Sequence, residues 1–255
     1  MTDDESIRLR DPGEEELPRM GFFDHLEEFR KRLIVCLIAV FIAFFVAWFQ
    51  APTIFEFIAR PLKKILPPGQ NLSYTTMTEP FLMYFRVALY AGVILASPVI
   101  LWQIWQFIAP ALYRRERRYV IPFVGFGFLF FISGCAFAYY VAFPGIVQFL
   151  VGDVGKNFNA VITINEYLST ASKLILGLGV CFETPIFIFF LARIGVVTPR
   201  WLMAKFKYAI LIIFIIAAVI TPTPDIATQC VFAFPMIGLY LLGVGVAWLF
   251  RKREA

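Results

Sequence analysis

The chain has 255 residues, of which 60% are hydrophobic, 18% aromatic and 16% charged, and its mean hydropathy is +0.76, whereas a soluble domain is roughly 45–50% apolar and about 25% charged. A water-soluble globule is excluded: 30 Phe residues cannot all be housed in one core of this length, and the apolar residues come in long blocks divided by short charged clusters, as in a chain that crosses a bilayer repeatedly. The net charge of +5 does not point to nucleic acid, because the basic residues are spread over four clusters between the apolar blocks and form no single patch.

In chain order, residues 1–22 are acidic and read as a disordered tail. Residues 1–32 hold no apolar run, so no cleavable signal peptide is expected and the first apolar block begins insertion. Residues 33–49 are 17 uncharged residues, extendable N-terminally through Phe29 and Leu26, and make a first span. Residues 50–79, with Pro52, Pro61, Pro67, Pro68 and Gly69, are too polar and broken to cross; they predict a structured loop with a short helix near 54–59. Residues 81–107 form a second span carrying Pro98, followed by a short basic loop over 109–118. Residues 119–151 are apolar for 33 positions, longer than the ~20 a bilayer core requires, so the third span is expected to end near Pro144 and give way to a surface segment. Residues 167–192 are the fourth.

Residues 206–220 give only 15 positions, short of the ~30 Å hydrocarbon core at ~1.5 Å per residue. The turn TPTPD (221–225) separates them from residues 226–250, and Pro222 and Pro224 forbid one continuous helix. This is a helical hairpin that crosses twice or dips in and returns, and both choices leave the C-terminus on the same side. The expected fold is all-α and polytopic: six transmembrane helices over residues 23–250, the last two short, between the acidic tail and a basic tail at 251–255.

Lys and Arg counts orient the chain. The side holding both termini carries Arg8, Arg10, Arg19, Arg30, Lys31 and Arg32, then Arg114, Arg115, Arg117 and Arg118, then Arg193, Arg200, Lys205 and Lys207, and finally Arg251, Lys252 and Arg253. The opposite side carries only Arg60, Lys63, Lys64 and Lys156. The bias predicts cytoplasmic termini. Arg86 and Lys173 fall near outer helix ends, where their stems snorkel. Gly92 and Ala96 mark helix packing.

Little conventional chemistry is available. Cys36, Cys135, Cys181 and Cys230 are isolated in apolar blocks with no CxxC spacing, which predicts neither a disulfide nor a metal site. The single histidine, His25, and Asp225 are assigned to opposite sides, so a Ser/His/Asp triad is excluded, and no phosphate-binding glycine motif exists. No cofactor is expected. What remains is a set of charged and polar residues beside or inside spans. In HLEEFRKRL, Glu28 and Arg32 are four apart, in the orientation that favours a helical ion pair. In FIAPALYRRERR, Glu116 lies amid four Arg. Glu183, in CFETP, is mid-span, where a carboxylate costs on the order of 2.5–3.5 kcal/mol and must find a polar groove, a partner or a proton. Thr221, Thr223 and Gln229 make a small polar patch around the hairpin turn, readable as turn capping or as a docking site.

The ordered series HLEEFRKRL, ARPL, SPVILWQIWQFIAPALYRRERR, GCAFAYYVAFP, GVCFETPI and ITPTPDIATQ resembles TatC, the multispanning receptor family of the twin-arginine protein translocase, over about residues 23–250. The resemblance implies a non-enzymatic component of a machine that exports folded proteins across the bacterial cytoplasmic membrane, driven by the proton-motive force. Its implied partners are the single-span proteins TatA and TatB, Arg-Arg signal peptides, the lipid bilayer and further copies of itself. By resemblance, Glu28 and Glu116 receive the paired arginines, Arg30 and Phe107 belong to the same recognition surface, Glu183 faces a cavity within the bilayer, Thr221 and Gln229 dock partner helices, and Pro61 is required in the outer loop. The chemistry agrees, because two guanidiniums are planar forks that want two carboxylates, a geometry Lys cannot reproduce. Glu27, directly before Glu28, is a second acid at that position. The competing reading is a small proton-coupled secondary transporter using Glu183, which would call for paired broken helices and an internal repeat that the sequence lacks; an intramembrane protease would need a histidine.

Overall fold

A computed structural model describes residues 22–65, 72–108, 120–155, 161–221 and 225–249. Among these residues the chain is helical: α1 (Phe22–Trp48), α2 (Ala51–Lys63), α3 (Glu79–Ile108), α4 (Val120–Phe137), α5 (Phe143–Val147), α6 (Ile164–Cys181), α7 (Thr184–Arg193), α8 (Pro199–Ala204), α9 (Phe206–Ile220) and α10 (Ile226–Leu249). Five helical stretches are long and apolar enough to cross a membrane, namely Phe23–Trp48, Glu79–Phe107, Val124–Val154, Ile164–Arg193 and Ile226–Leu249, and α9 is the shorter sixth. Large apolar side chains face outward along them, Leu37 at 60% exposure and Phe41 at 63% in α1, a surface suited to the apolar interior of a bilayer.

Helices meet where side chains are small. A Cβ on Gly92 of α3 would lie 3.0 Å from the Cα and N of Phe44, so α1 and α3 approach almost backbone to backbone, as helices do in lipid where close packing replaces the hydrophobic effect. Ala47, Val87 and Ala88 are buried in the same seam, and Phe44 packs its ring 5.1 Å from Phe85.

Four prolines interrupt the helical hydrogen-bond ladder, only Pro185 of them at a helix break, and the third span departs from expectation. Helix does not end near Pro144: a π-helical stretch, Ala138–Ala142, leads into α5, and a second, Gln148–Val154, carries the helix to Val154. The N–H of Phe143 reaches back five residues to the Ala138 carbonyl, so the ladder is already widened where Pro144 has no N–H to give, and the ring is accommodated without a stop. In α3, Pro98 withdraws the donor that Ile94 O would receive, and the Ser97 hydroxyl donates to that carbonyl at 2.7 Å. Between α6 and α7, Pro185 does the same to Cys181 O, and the Thr184 hydroxyl donates to it at 2.7 Å; here the helix breaks, at Phe182 and Glu183. In α2, Pro61 frees Phe57 O, which accepts from the Tyr139 hydroxyl at 2.6 Å, while Tyr167 donates to Ile58 O at 2.7 Å. Hydroxyls re-satisfying freed carbonyls are what make proline tolerable away from water.

The predicted loop helix is thus real and longer, Ala51–Lys63, with Ala59, Pro61 and Leu62 buried against the bundle. The same end is tied by a bridge of Ser73 to the segment before α6: Ser73 N–H donates to Ile162 O at 3.0 Å and Ile164 N–H to Ser73 O at 2.9 Å. The exposed Arg86 is not simply snorkelling, since it donates to the side-chain oxygen of Asn165. The expected shortness of the last two helices holds for α9, at 15 residues, and not for α10, at 24; the apolar run of α10 simply continues through Pro235. The four cysteines are free thiols.

Candidate functional site

Two polar loci stand out against this apolar background. The first is the corner where α1 begins and α3 ends. His25, Glu28, Phe29 and Arg32 recur at three- and four-residue spacing and share one face of α1, while Gln103, Gln106 and Phe107 share one face of α3. The two faces meet. The Phe107 ring stacks on His25 at 4.4 Å and receives the edge of Phe29 at 5.6 Å. Beneath them the Arg32 guanidinium donates to Glu28 Oε1 from Nε at 3.0 Å and from one terminal nitrogen, and from the other terminal nitrogen to Gln106 Oε1 at 2.8 Å and Gln103 Oε1 at 3.4 Å. Both charged side chains are largely shielded, Glu28 at 17% and Arg32 at 20% exposure, and Glu28 Oε2 is buried without a hydrogen-bond partner among the described residues.

The neighbouring acid is different. Glu27 pairs with Lys31 at 2.8 Å on the open side of α1, with 63% and 73% exposure. Helical phase alone separates them: Glu28 shares its face with Phe29 and Arg32 toward α3, and Glu27 does not. Arg30 is exposed and is not drawn into the Glu28–Arg32 cluster. Glu116, expected opposite Glu28, lies outside the described residues, as do its flanking arginines.

The second locus is Glu183, at the break between α6 and α7. Its Oε1 is buried and has no hydrogen-bond partner among the described residues. The carboxylate lies against α4 at Gly127, where a Cβ would come within 3.2 Å of Oε2 and 3.7 Å of Leu101 Cδ1, so a side chain at 127 would press on the acid. The adjoining packing is apolar, with Leu101, Trp105, Phe131, Ile186 and Phe190 buried together. No group of three or more His, Cys, Asp or Glu that could hold a metal occurs among the described residues.

At the hairpin, Thr221 is buried and its hydroxyl lies 3.5 Å from Ala218 O, while the Gln229 amide donates to Phe214 O at 2.8 Å. Asp225 caps α10, accepting from Thr228 N–H at 2.8 Å. Thr221 and Gln229 therefore satisfy their own hairpin's backbone, and Thr223 lies outside the described residues. Pro61 sits at the opposite end of the bundle from Glu28, held through the tyrosine contacts already described. Sequence reasoning overlooked Gln103, Gln106, Tyr139 and Tyr167. The glutamines leave a legible signal, two amides three apart in an otherwise apolar helix end beside Phe107; the tyrosines act across 82 and 109 residues of chain and leave none.

Residues 24–235 match the family described as Sec-independent protein translocase protein (TatC). A Sec-independent protein translocase protein TatC of Koribacter versatilis is 47% identical over 99% of this chain and 94% of that protein. One of Desulforapulum autotrophicum is 40% identical over 91% of this chain and 86% of its own length. A crystal structure of a twin arginine translocase receptor, TatC, superposes with a TM-score of 0.78 at 37% identity, covering 88% of this chain and 98% of that one.

Proposed function

Because the chain belongs to the TatC family of Sec-independent protein translocase proteins, a multi-pass membrane component of a transport machine and not an enzyme, we propose that the α1/α3 corner is where it receives the paired arginines of a cargo signal peptide. Glu28 takes one guanidinium and Glu116, in the basic segment that follows α3 in the sequence, takes the other; Arg30 and Phe107 complete the surface. The observation that carries this reading is the Glu28 carboxylate, shielded on the face toward α3 with one oxygen free of partners among the described residues. A half-shielded carboxylate gives a bidentate guanidinium more than an exposed one can, because competing water is excluded.

The remaining assignments follow in the same frame. The corner faces the cytoplasm of a bacterium across its inner membrane, with both termini on that side, the acidic residues 1–22 and basic residues 251–255 flanking the 23–250 membrane domain. Glu183 is the polar site that a translocating assembly meets within the bilayer, Thr221 and Gln229 receive the single helices of TatA and TatB, copies of the chain associate with one another, and Pro61 shapes the outer end. Export of folded cargo draws on the proton-motive force. Capture of the purified chain by an immobilised Arg-Arg signal peptide, against its Lys-Lys variant, tests the reading: retention by the first alone supports it, and equal retention by both overturns it.

A further inference from the structure

Resting on that reading of Glu28, we infer that Arg32 is an internal stand-in for the signal peptide, a guanidinium that occupies the Glu28 carboxylate in the empty receptor and is displaced toward Gln106 and Gln103 when a peptide arginine arrives.

The geometry is that of a site occupied but not completed. A guanidinium pairs best side-on, two N–H groups to two carboxylate oxygens. Arg32 instead directs Nε and one terminal nitrogen to Oε1 alone and leaves Oε2 buried without a partner among the described residues. An incoming arginine that pairs bidentately needs both oxygens and must take Oε1 from Arg32. The displaced group already has somewhere to go, because its other terminal nitrogen is on Gln106 Oε1 at 2.8 Å with Gln103 Oε1 3.4 Å away. These amides stand on α3, so a swing of the arginine end exchanges one acceptor for another without leaving a shielded cation unpaired.

Such a stand-in does two things. It neutralises a shielded carboxylate that would otherwise stand against α3 uncompensated. It also makes recognition a competition, in which an arginine can be displaced only by a ligand that pairs better than it does. Lysine, a point charge without the fork, is a poor competitor for that exchange.

The test uses the full chain in detergent and a fluorescent Arg-Arg signal peptide. Arg32→Gln raises peptide affinity by up to about fivefold, the worth of a partly exposed ion pair, while Lys31→Gln, which removes the same charge one residue away from an exposed pair, changes it less than about twofold. Gln106→Leu, which removes the receiving amide, weakens binding in the parent chain and has no effect in the Arg32→Gln background. If Arg32→Gln misfolds, Arg32→Lys keeps the charge without the fork, and a gain in affinity there supports the same conclusion. Unchanged or weakened binding in the folded Arg32 variant, or an equal gain in Lys31→Gln, overturns the stand-in. Glu28→Gln separates the two failures: if it binds as the parent does, the receptor reading of Glu28 falls, and if it loses binding while the Arg32 variant gains none, only the stand-in falls.

Discussion

Glu28 and Glu183 are both shielded carboxylates with one oxygen unpartnered among the described residues, yet they are held in opposite ways. Glu28 belongs to an ion pair made within one turn of helix and braced by two glutamines of the next. Glu183 sits at a helix break against a glycine of α4, with no salt bridge to any described residue. The difference follows from depth. At a helix end a basic residue four positions on can share the site at little cost, whereas within the bilayer a second charge would add its own insertion penalty. An acid at a helix end can therefore be paired with a base one turn on, while one inside a span must be met by geometry, here a missing side chain.

Removing each acid is the strongest way to break the comparison. Glu28→Gln is expected to lower affinity for an Arg-Arg signal peptide about tenfold to a hundredfold, the loss of a charge-assisted pair of about 1.5–3 kcal/mol, measured by fluorescence titration. Unaltered affinity would remove Glu28 from recognition. For Glu183, substitution by Leu is expected to slow export of a folded reporter several-fold while leaving peptide binding near the parent value, and Gln, which keeps hydrogen-bonding capacity, is expected to support export. Equal, near-normal export by both variants would reduce Glu183 to a packing residue.

Smaller changes sharpen the contrast. Gly127→Ala places a methyl 3.2 Å from the Glu183 carboxylate and is expected to cost about 1 kcal/mol, read as a lowered unfolding temperature in detergent; a variant as stable as the parent would mean that the acid has room to move. Least of all, Lys31→Gln opens the exposed Glu27 pair and is expected to change peptide affinity less than about twofold. An effect as large as that of Glu28→Gln would show that exposure, the property that separates the two neighbouring acids, is not what matters.

Much of this was legible in the chain because it is local. Span number, the loop helix and the pairing of Glu28 with Arg32 depend on composition and on spacing within a helical turn. The same logic explains the errors: Pro144 reads as a stop only if the helix before it is α-helical, and the π-helical widening at Ala138–Ala142 has no signature in residue type. The shielding of Glu28 required knowing that α3 returns to the start of α1, and the tyrosine contacts to α2 required a partner more than 80 positions away.

The proline repairs differ in their reach along the chain. Ser97 and Thr184 mend carbonyls three residues behind them in their own segments, so each of these repairs is local and is made by the residue just before the proline. The carbonyl freed by Pro61 is instead met by Tyr139, 82 residues further along the chain, and Tyr167 adds a hydroxyl to Ile58 O from 109 residues away. A repair of that kind is complete only when the Tyr139 stretch and α6 pack on α2. The end of the bundle that holds α2 is therefore joined by distant parts of the chain, whereas the repairs at Pro98 and Pro185 stay within their own segments.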